Sequence, residues 1–538
     1  MIGFQKLPSG EGARSRGKTK AILTGSKRII HTLMKSEWWL VYATALLIGI
    51  NRAGEIHESD AFWQIRAGLE QLSGTPLIRP DSWGWAPTGG LFYPNSPGWN
   101  LILALSWKAG KYWGLFLIVL ISILASIAVL VACARYLKVG PKATMFALSL
   151  FTLLSIQMFS ARGMTFAHSW LLLAVLAALW WSEKAKSVSY SLNAIVVTAS
   201  AFGFGFIGNW IHISWYFYTP LIAFVWIVLW VLAPDISRNL KVALSIFGTS
   251  GFLLGIIFSP YGLSTIARSR EVSAVCKGLI IEWISPFADM TLMRHWGITI
   301  AVGVLFFVAT LKWLTGQYKH SGYFTEQMRL VVGISLVAFP FLILGSWAIR
   351  FVVTASYLLI PVAALISSEQ FRKLRNASDS GLHIGIWKSA RIREYAGEKI
   401  WKNTIPILIA VLAVLDVPYA LEHSVPTSRN AISALPLSCN LFSDQEIQDT
   451  TLLLRPDVKV WFDGRIDYHG RRKIEELHNY FFKPSNSDPV PVGATCVLLR
   501  IGAGELPQEN VAKILDASPD WQLIYNNSNF RIWSPLKP

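Results

Sequence analysis

The chain has 538 residues, 53% of them hydrophobic and only 15% charged, with 49 Lys and Arg against 32 Asp and Glu. A mean hydropathy of +0.43 excludes a disordered chain and an ordinary soluble enzyme. The net charge of +17 does not point to nucleic acid, because the cations sit between long apolar blocks and not on one basic surface. The composition is that of a polytopic α-helical membrane protein.

A membrane span needs about 20 mostly apolar residues. Taken in chain order, apolar runs at 38–53, 113–134, 143–158, 165–181, 192–207, 214–233, 242–259, 296–311, 330–346, 351–367 and 404–420 predict about eleven spans. The basic stretch 1–36 precedes the first run without a cleavage site, so it reads as a cytoplasmic tail before an uncleaved anchor. The segment 94–110, with "NSPGWNLILALSWKAG", is short and followed by Lys111, and is read as a helix lying in the interface. The N-terminus is then inside and the C-terminal segment outside. Lys and Arg divide as 26 inside, 11 in the outside loops and 12 in the C-terminal segment. Residues 6–35 and 372–402 contribute eight each, which is the positive-inside pattern. The expectation is a multi-pass protein of the cytoplasmic (inner) membrane. Its 24 Trp suit many crossings of the membrane interface.

Three outside segments exceed simple turns: 54–111 and 260–295 within a membrane domain of 37–421, and everything from 422 to 538. In the last, apolar runs shrink to strand length. "CNLFSD" predicts a strand, "QEIQDTTLLLR" a helix, "VKVWFDGR" a strand and "RRKIEELHNYFF" a helix. "ATCVLLRIG" follows as a strand, "ENVAKILDAS" as a helix and "WQLIYNN…FRIWS" as a strand pair. That order describes a small α/β domain. No Gly-rich phosphate loop follows its first strand, and no heme, flavin or nucleotide motif occurs, so no tightly bound organic cofactor is expected. The four cysteines lack metal-site spacing. Cys439 and Cys496 fall on predicted outer strands, as a disulfide or as two buried thiols.

Chemistry is expected on the outer side. "GEIHESDAFWQIRAG" places Glu58 and Asp60 just after the first span, with Arg66 two turns on. A carboxylate there serves as a general base or a ligand for a divalent metal. The alternative is a solvated helix start, where acids favour the first turn. The loop 260–295 carries Arg268, Arg270, Lys277 and Arg294, with Glu282 in "EWISP". Arginine forks suit phosphate oxygens, and phospholipid anchoring is the other reading. Arg162 and Arg350 sit at outer span ends, and Asn209 and His212 lie in "GNWIHIS". In "FDGRID", Asp463, Arg465 and Asp467 follow a strand, either as a ligand site or as an ion-pair turn packing the outer domain onto the loops.

These segments resemble a known family. "DAFWQIRAG", then "GTPLIRPDSWGW", then a helix beginning near Trp99, resembles the first outer loop of GT-C-type membrane glycosyltransferases. The nearest pattern is that of a bacterial group whose loop reads D-x-W-W-H-x-x-T-G, then I-P-x-x-D-P-F-S, then W-L. "GNWIHIS", "SPYGL", "EWISP", "WAIRFVVTASYLLIPV" and "KVWFDGRIDYHG" continue the likeness over nearly the whole chain beyond the tail. The resemblance implies a sugar donor on a polyprenyl-phosphate carrier and an envelope glycan, lipid or protein as acceptor. It implies Asp60, with Glu58 second, as catalytic carboxylate, and arginines on the departing phosphate. The chain departs from the pattern at Gln64, where the family has His, at Ala67, where it has Thr, and at "NSPGW", where it has a Glu. Those departures keep open a non-catalytic envelope-assembly or glycan-binding protein. A transporter of lipid-linked substrates is disfavoured by nearly charge-free spans, Asp416 being the main exception, and by the lack of internal repeats.

Overall fold

The computed structural model describes residues 38–55, 60–86, 88–379, 390–502 and 507–536. Each of the eleven apolar runs falls on a helix. In order these are α1 (Trp39–Gly54), the second half of α3 (Pro97–Tyr136), α4 (Pro141–Leu154) with the turn Ile156–Met158, α5 (Gly163–Lys184), α6 (Tyr190–Ile211), α7 (Trp215–Val231), α8 (Arg238–Ile257), α10 (Ile298–Ser321), α11 (Glu326–Gly345), α12 (Ile349–Asp379) and α13 (Ala390–His423). Between them lie α2 (Asp60–Leu72) and α9 (Ser264–Cys276). Among the described residues, seven helices are long and apolar enough to cross a membrane, and α4 and α7 are shorter apolar helices. The chain is a multi-pass membrane protein.

The helices differ in what surrounds them. In the apolar stretch of α12, 89% of residues are buried inside the protein, against 17% for Met290–Ser321. The first is the bundle's centre. The second exposes Leu305, Val308 and Leu311, as a lipid-facing helix does. Helices α6 and α8 approach closely because Gly205, Gly251 and Gly255 carry no side chain; a Cβ on Gly251 would stand 2.4 Å from the Thr198 carbonyl. Small residues at such contacts are how membrane helices gain van der Waals packing.

The segment read as interfacial is indeed set off from the span that follows. Helix α3 is broken at Gly110 and Lys111, whose dihedrals are not helical. Its first half packs on α2, where Gly68 lies so near that a Cβ would meet the Asn100 carbonyl at 2.1 Å.

The C-terminal residues form the expected small domain. Strands β3 (Asn440–Phe442), β4 (Lys459–Val460), β5 (Cys496–Arg500), β6 (Trp521–Asn526) and β7 (Phe530–Pro535) make one sheet in the order β4-β3-β5-β7-β6. The β4-β3-β5 part is parallel and the β5-β7-β6 part antiparallel. Helices α14 (Gln445–Leu454), α15 (Ile466–Phe482) and α16 (Pro507–Ala517) complete it. The strand expected from "VKVWFDGR" is only two residues long, because the chain bends from Trp461 and Phe462 enters the domain's core. Cys439 and Cys496 are joined as a disulfide, which decides between the two sequence readings.

The first outer loop is stitched to this domain. The short hairpin β1 (Arg79–Pro80) with β2 (Leu91–Phe92) flanks a stretch that bonds the exposed edge of β4: Trp85 N donates to Val460 O at 3.1 Å and Val460 N to Trp83 O at 3.0 Å. An edge strand with open N–H and C=O groups is thereby covered.

Candidate active site

Helix α2 starts at Asp60, so the carboxylate stands at the helix N-terminus, where negative charge is favoured. Its Oδ1 accepts from Trp63 Nε1 at 3.2 Å, and its Oδ2 lies 3.2 Å from Arg162 Nη2. Arg162, immediately before α5, also pairs with Glu282. One guanidinium therefore links two carboxylates from two outer loops. Burial alone would raise the Glu282 carboxyl, but Arg162 and Arg350 outweigh it and hold the group below the usual carboxylate range.

These groups face a cavity of about 300 Å³, lined by Asp60, Gln64, Arg162, His212, Glu282 and Arg350, with Gln445, Gly464 and Asp467 from the outer domain. The Arg350 guanidinium lies 4.3 Å from the Trp283 ring and makes no ion pair with a described carboxylate. It also borders an aromatic groove of about 220 Å³ lined by Tyr216, Phe217, Leu344, Trp347 and Phe351. His212 joins both spaces; its Nδ1 is 2.7 Å from Ser214 Oγ, and burial pushes the imidazole pKa down to about 3, so it is neutral.

Of the residues singled out in the sequence, Asp60, Arg162, His212, Glu282, Arg350 and Asp467 meet at this cavity. Others do not. Arg66 donates to Glu70 at 2.7 Å, and Glu70 also holds Arg79 and Trp83, so Arg66 belongs to the loop's scaffold. Asn209 is buried and donates to the Gly205 carbonyl of its own helix at 2.8 Å. Arg268 is taken by Asp467 at 2.9 Å and Glu271 at 2.8 Å, and so acts on the cavity only through Asp467. Burial raises the Asp467 carboxyl, with Arg268 opposing. Arg270 and Arg294 are exposed and line none of these spaces. Glu58 lies outside the described residues.

Asp463 and Arg465 form the ion-pair turn that was one of the two sequence readings. Arg465 Nη2 is 2.6 Å from Asp463 Oδ2, and its Nη1 is 2.8 Å from Asp81 Oδ1 in the first outer loop. All three are sealed from solvent, and the guanidinium lies 4.1 Å from the Trp83 ring centre. The effect of that turn is to lay Gly464 on the site. A Cβ there would stand 2.8 Å from Trp63 Nε1 and 3.0 Å from Asp60 Oδ1. Asp449, on α14, accepts from Gly464 N at 2.6 Å and fixes the turn.

The sequence reading missed Asp81, Asp449 and Gly464. "RPDSWGW" registered as a turn, and a turn aspartate gives no local sign of an arginine partner 384 positions away. For a divalent metal the fit is poor: both oxygens of Asp60 have protein donors, and no group of three His, Cys, Asp or Glu gathers among the described residues.

No family model matches the chain, and no curated protein matches it in sequence. Among solved structures it is similar to an archaeal oligosaccharyltransferase, AglB from Archaeoglobus fulgidus, in complex with an inhibitory peptide and a dolichol-phosphate (11% identity, TM-score 0.47, 93% of this chain and 74% of that one). It is also similar to ArnT from Cupriavidus metallidurans bound to undecaprenyl phosphate (11% identity, TM-score 0.49, 93% of this chain and 98% of that one).

Proposed function

We propose that the chain is a GT-C-type membrane glycosyltransferase that moves a sugar from a polyprenyl-phosphate carrier to an envelope acceptor on the non-cytoplasmic face of the inner membrane. The observation that supports this most is the shared cavity: a carboxylate, Asp60, and a cation with no ion pair among the described residues, Arg350, face one space, and Arg350 also borders an aromatic groove. The groove suits an apolar chain and the guanidinium its phosphate. The disulfide suits an oxidising outer compartment for the C-terminal domain.

In this reading Asp60 accepts the proton of the acceptor hydroxyl as that oxygen bonds to the anomeric carbon. The bond from that carbon to the phosphate oxygen breaks, and its electron pair leaves on the carrier phosphate. The displacement is direct, with inversion. Arg350 stabilises the charge that develops on the phosphate, and Trp63 and Arg162 hold the base in place. The competing reading, a glycan-binding role for the outer domain, gains nothing from Asp463 and Arg465, since both are sealed.

Deleting the gene and restoring wild type or Asp60→Asn at matched membrane levels tests the reading. Envelope glycans and polyprenyl-phosphate sugars are then profiled by mass spectrometry. The expected result is a glycan that returns only with wild type, a lipid-linked sugar that accumulates with Asp60→Asn, and a loss of transfer of about 10²–10⁴-fold. Full restoration by Asp60→Asn would remove the carboxylate from the mechanism.

A further inference from the structure

The intramembrane carboxylate Asp416 has no part in the mechanism above, yet it stands at a cavity. A space of about 400 Å³ opens between α1, α13 and the end of α4, lined by Leu47, Ile48, Asn51, Ile156, Leu412 and Asp416, with Arg52 beside them. Asn51, Ile156 and Leu412 are exposed, so the space opens sideways toward lipid. Its walls are ordered by depth. Gly54 on α1 lies so close to Ala420 on α13 that a Cβ would meet the Ala420 Cα at 2.8 Å. One helical turn before that contact stand Asn51 on α1 and Asp416 on α13, and one turn before those come Leu47, Ile48 and Leu412. The polar level is therefore nearer the end of α1 that leads to Asp60, and the apolar level lies deeper in the bilayer. A lipid in the leaflet on that side has the same order, with its headgroup above its chain.

The Asp416 and Asn51 side chains make no hydrogen bond or ion pair with a described residue. Arg52, on the same turn as Asn51, is held by the Phe159 carbonyl at 2.7 Å and by Glu55. A carboxylate at the edge of the hydrocarbon is costly unless a cation meets it. We infer that this groove is a binding site for one zwitterionic aminophospholipid, with its primary ammonium on Asp416, its phosphate beside Asn51 and Arg52, and its chain along Leu47, Ile48 and Leu412. Charge selects the headgroup. A phosphatidylglycerol brings an anion and no cation to Asp416. A phosphatidylcholine brings a cation that has no N–H to donate. A primary ammonium offers the carboxylate both charge and hydrogen bonds. Bound there, the lipid lies on the seam between the helix that leads to Asp60 and the helix that leads to the C-terminal domain. The site is independent of the glycosyltransferase reading.

Native mass spectrometry of the full chain in mild detergent tests this. Phosphatidylethanolamine, phosphatidylcholine and phosphatidylglycerol with identical chains are titrated in turn. One phosphatidylethanolamine is expected to bind about tenfold tighter than either of the others. Asp416→Asn brings it down to the level of phosphatidylcholine. Leu412→Trp, at an exposed position, fills the part of the groove meant for the chain and weakens all three lipids. In nanodiscs, phosphatidylethanolamine raises the melting temperature of the wild type above that in phosphatidylcholine, and does not do so for Asp416→Asn. No preference in the wild type overturns the inference, as does a preference that Asp416→Asn retains or binding that Leu412→Trp leaves unchanged. Tightest binding of phosphatidylglycerol also overturns it, by assigning the groove to Arg52 and an anionic headgroup. So does a dimer that forms without lipid and that Leu412→Trp dissolves, because the groove then takes a helix of a second copy.

Discussion

Arg162 and Arg465 each stand between a pair of carboxylates, the first at the cavity and the second in the turn that lays Gly464 on it. Arg162 lies between Asp60 and Glu282, and these side chains are 25–35% exposed. Arg465 lies between Asp463 and Asp81, with exposures of 0–1%. The residue types are the same, and the difference in solvent decides the role. An open ion pair is screened by water and exchanges partners at little cost. A sealed pair has lost its hydration, and removing one partner strands a bare charge. The open cluster is thus suited to chemistry, and the sealed one to holding the outer domain against the loop that carries Asp60.

The comparison breaks most visibly at Arg465. Arg465→Ala leaves Asp81 with no cation and Asp463 with only the His469 imidazole at 3.1 Å, and a stranded charge of this kind costs about 3–5 kcal/mol. The expected outcome is a large fall in melting temperature or in the amount of protein recovered from membranes. Arg162→Ala should lower the melting temperature far less while abolishing transfer. Equal stability losses at the two arginines would show that exposure does not separate their roles.

How far this arrangement was legible in the sequence follows from the range of each signal. Apolar runs and strand-length alternation are local: every predicted apolar run falls on a helix, seven of them long enough to cross a membrane among the described residues, and the order of the C-terminal domain's elements recurs. Asp60, Arg162 and Arg350 are legible because each sits close to the end of an apolar run, and Glu282 because it lies in the long loop 260–295. Arg66, close to Asp60 in the sequence, belongs to the scaffold, and Glu70 four residues on has the spacing of a helical ion pair that marks it so. Asp81 with Arg465, and Gly464 with Asp60, are pairings made by the docking of one domain on one loop. Nothing within a window of neighbouring residues encodes them.

The two clusters meet at Gly464, which sharpens the comparison to one atom. It sits in the sealed turn, held by Asp449, and touches the open site. Gly464→Ala puts a methyl group at 2.8–3.0 Å from Trp63 Nε1 and Asp60 Oδ1, so the turn or the base must shift. A displacement of about 1 Å at a catalytic group costs roughly a hundredfold in rate. The expectation is a large drop in transfer with a melting temperature close to wild type. A variant that loses stability and keeps its rate would place the give in the turn, not the base.

The smallest predicted effect comes from a half-buried carboxylate with no arginine in direct contact. Asp444 caps α14, accepting from Ile447 N at 3.0 Å. Burial raises its pKa from 3.8 to about 6, with the Ile447 N–H and Arg500 pulling the other way. The folded pKa thus lies above the unfolded one. Well below pH 3.8 both states hold the proton and the group has no effect on stability. As pH rises, the unfolded state ionises first, so folding loses stability until the folded group ionises near pH 6. Asp444→Asn keeps an oxygen for the cap and removes the charge. It should stabilise the protein on the order of 1 kcal/mol at pH 7 and by a small fraction of that at pH 4, read from melting curves at the two pH values. A gain that is equal at both would trace to packing and not to the charge. Held directly by Arg465, the Asp463 carboxylate favours the folded state; in Asp444, with backbone donors and Arg500 acting only at a distance, the same charge works against it.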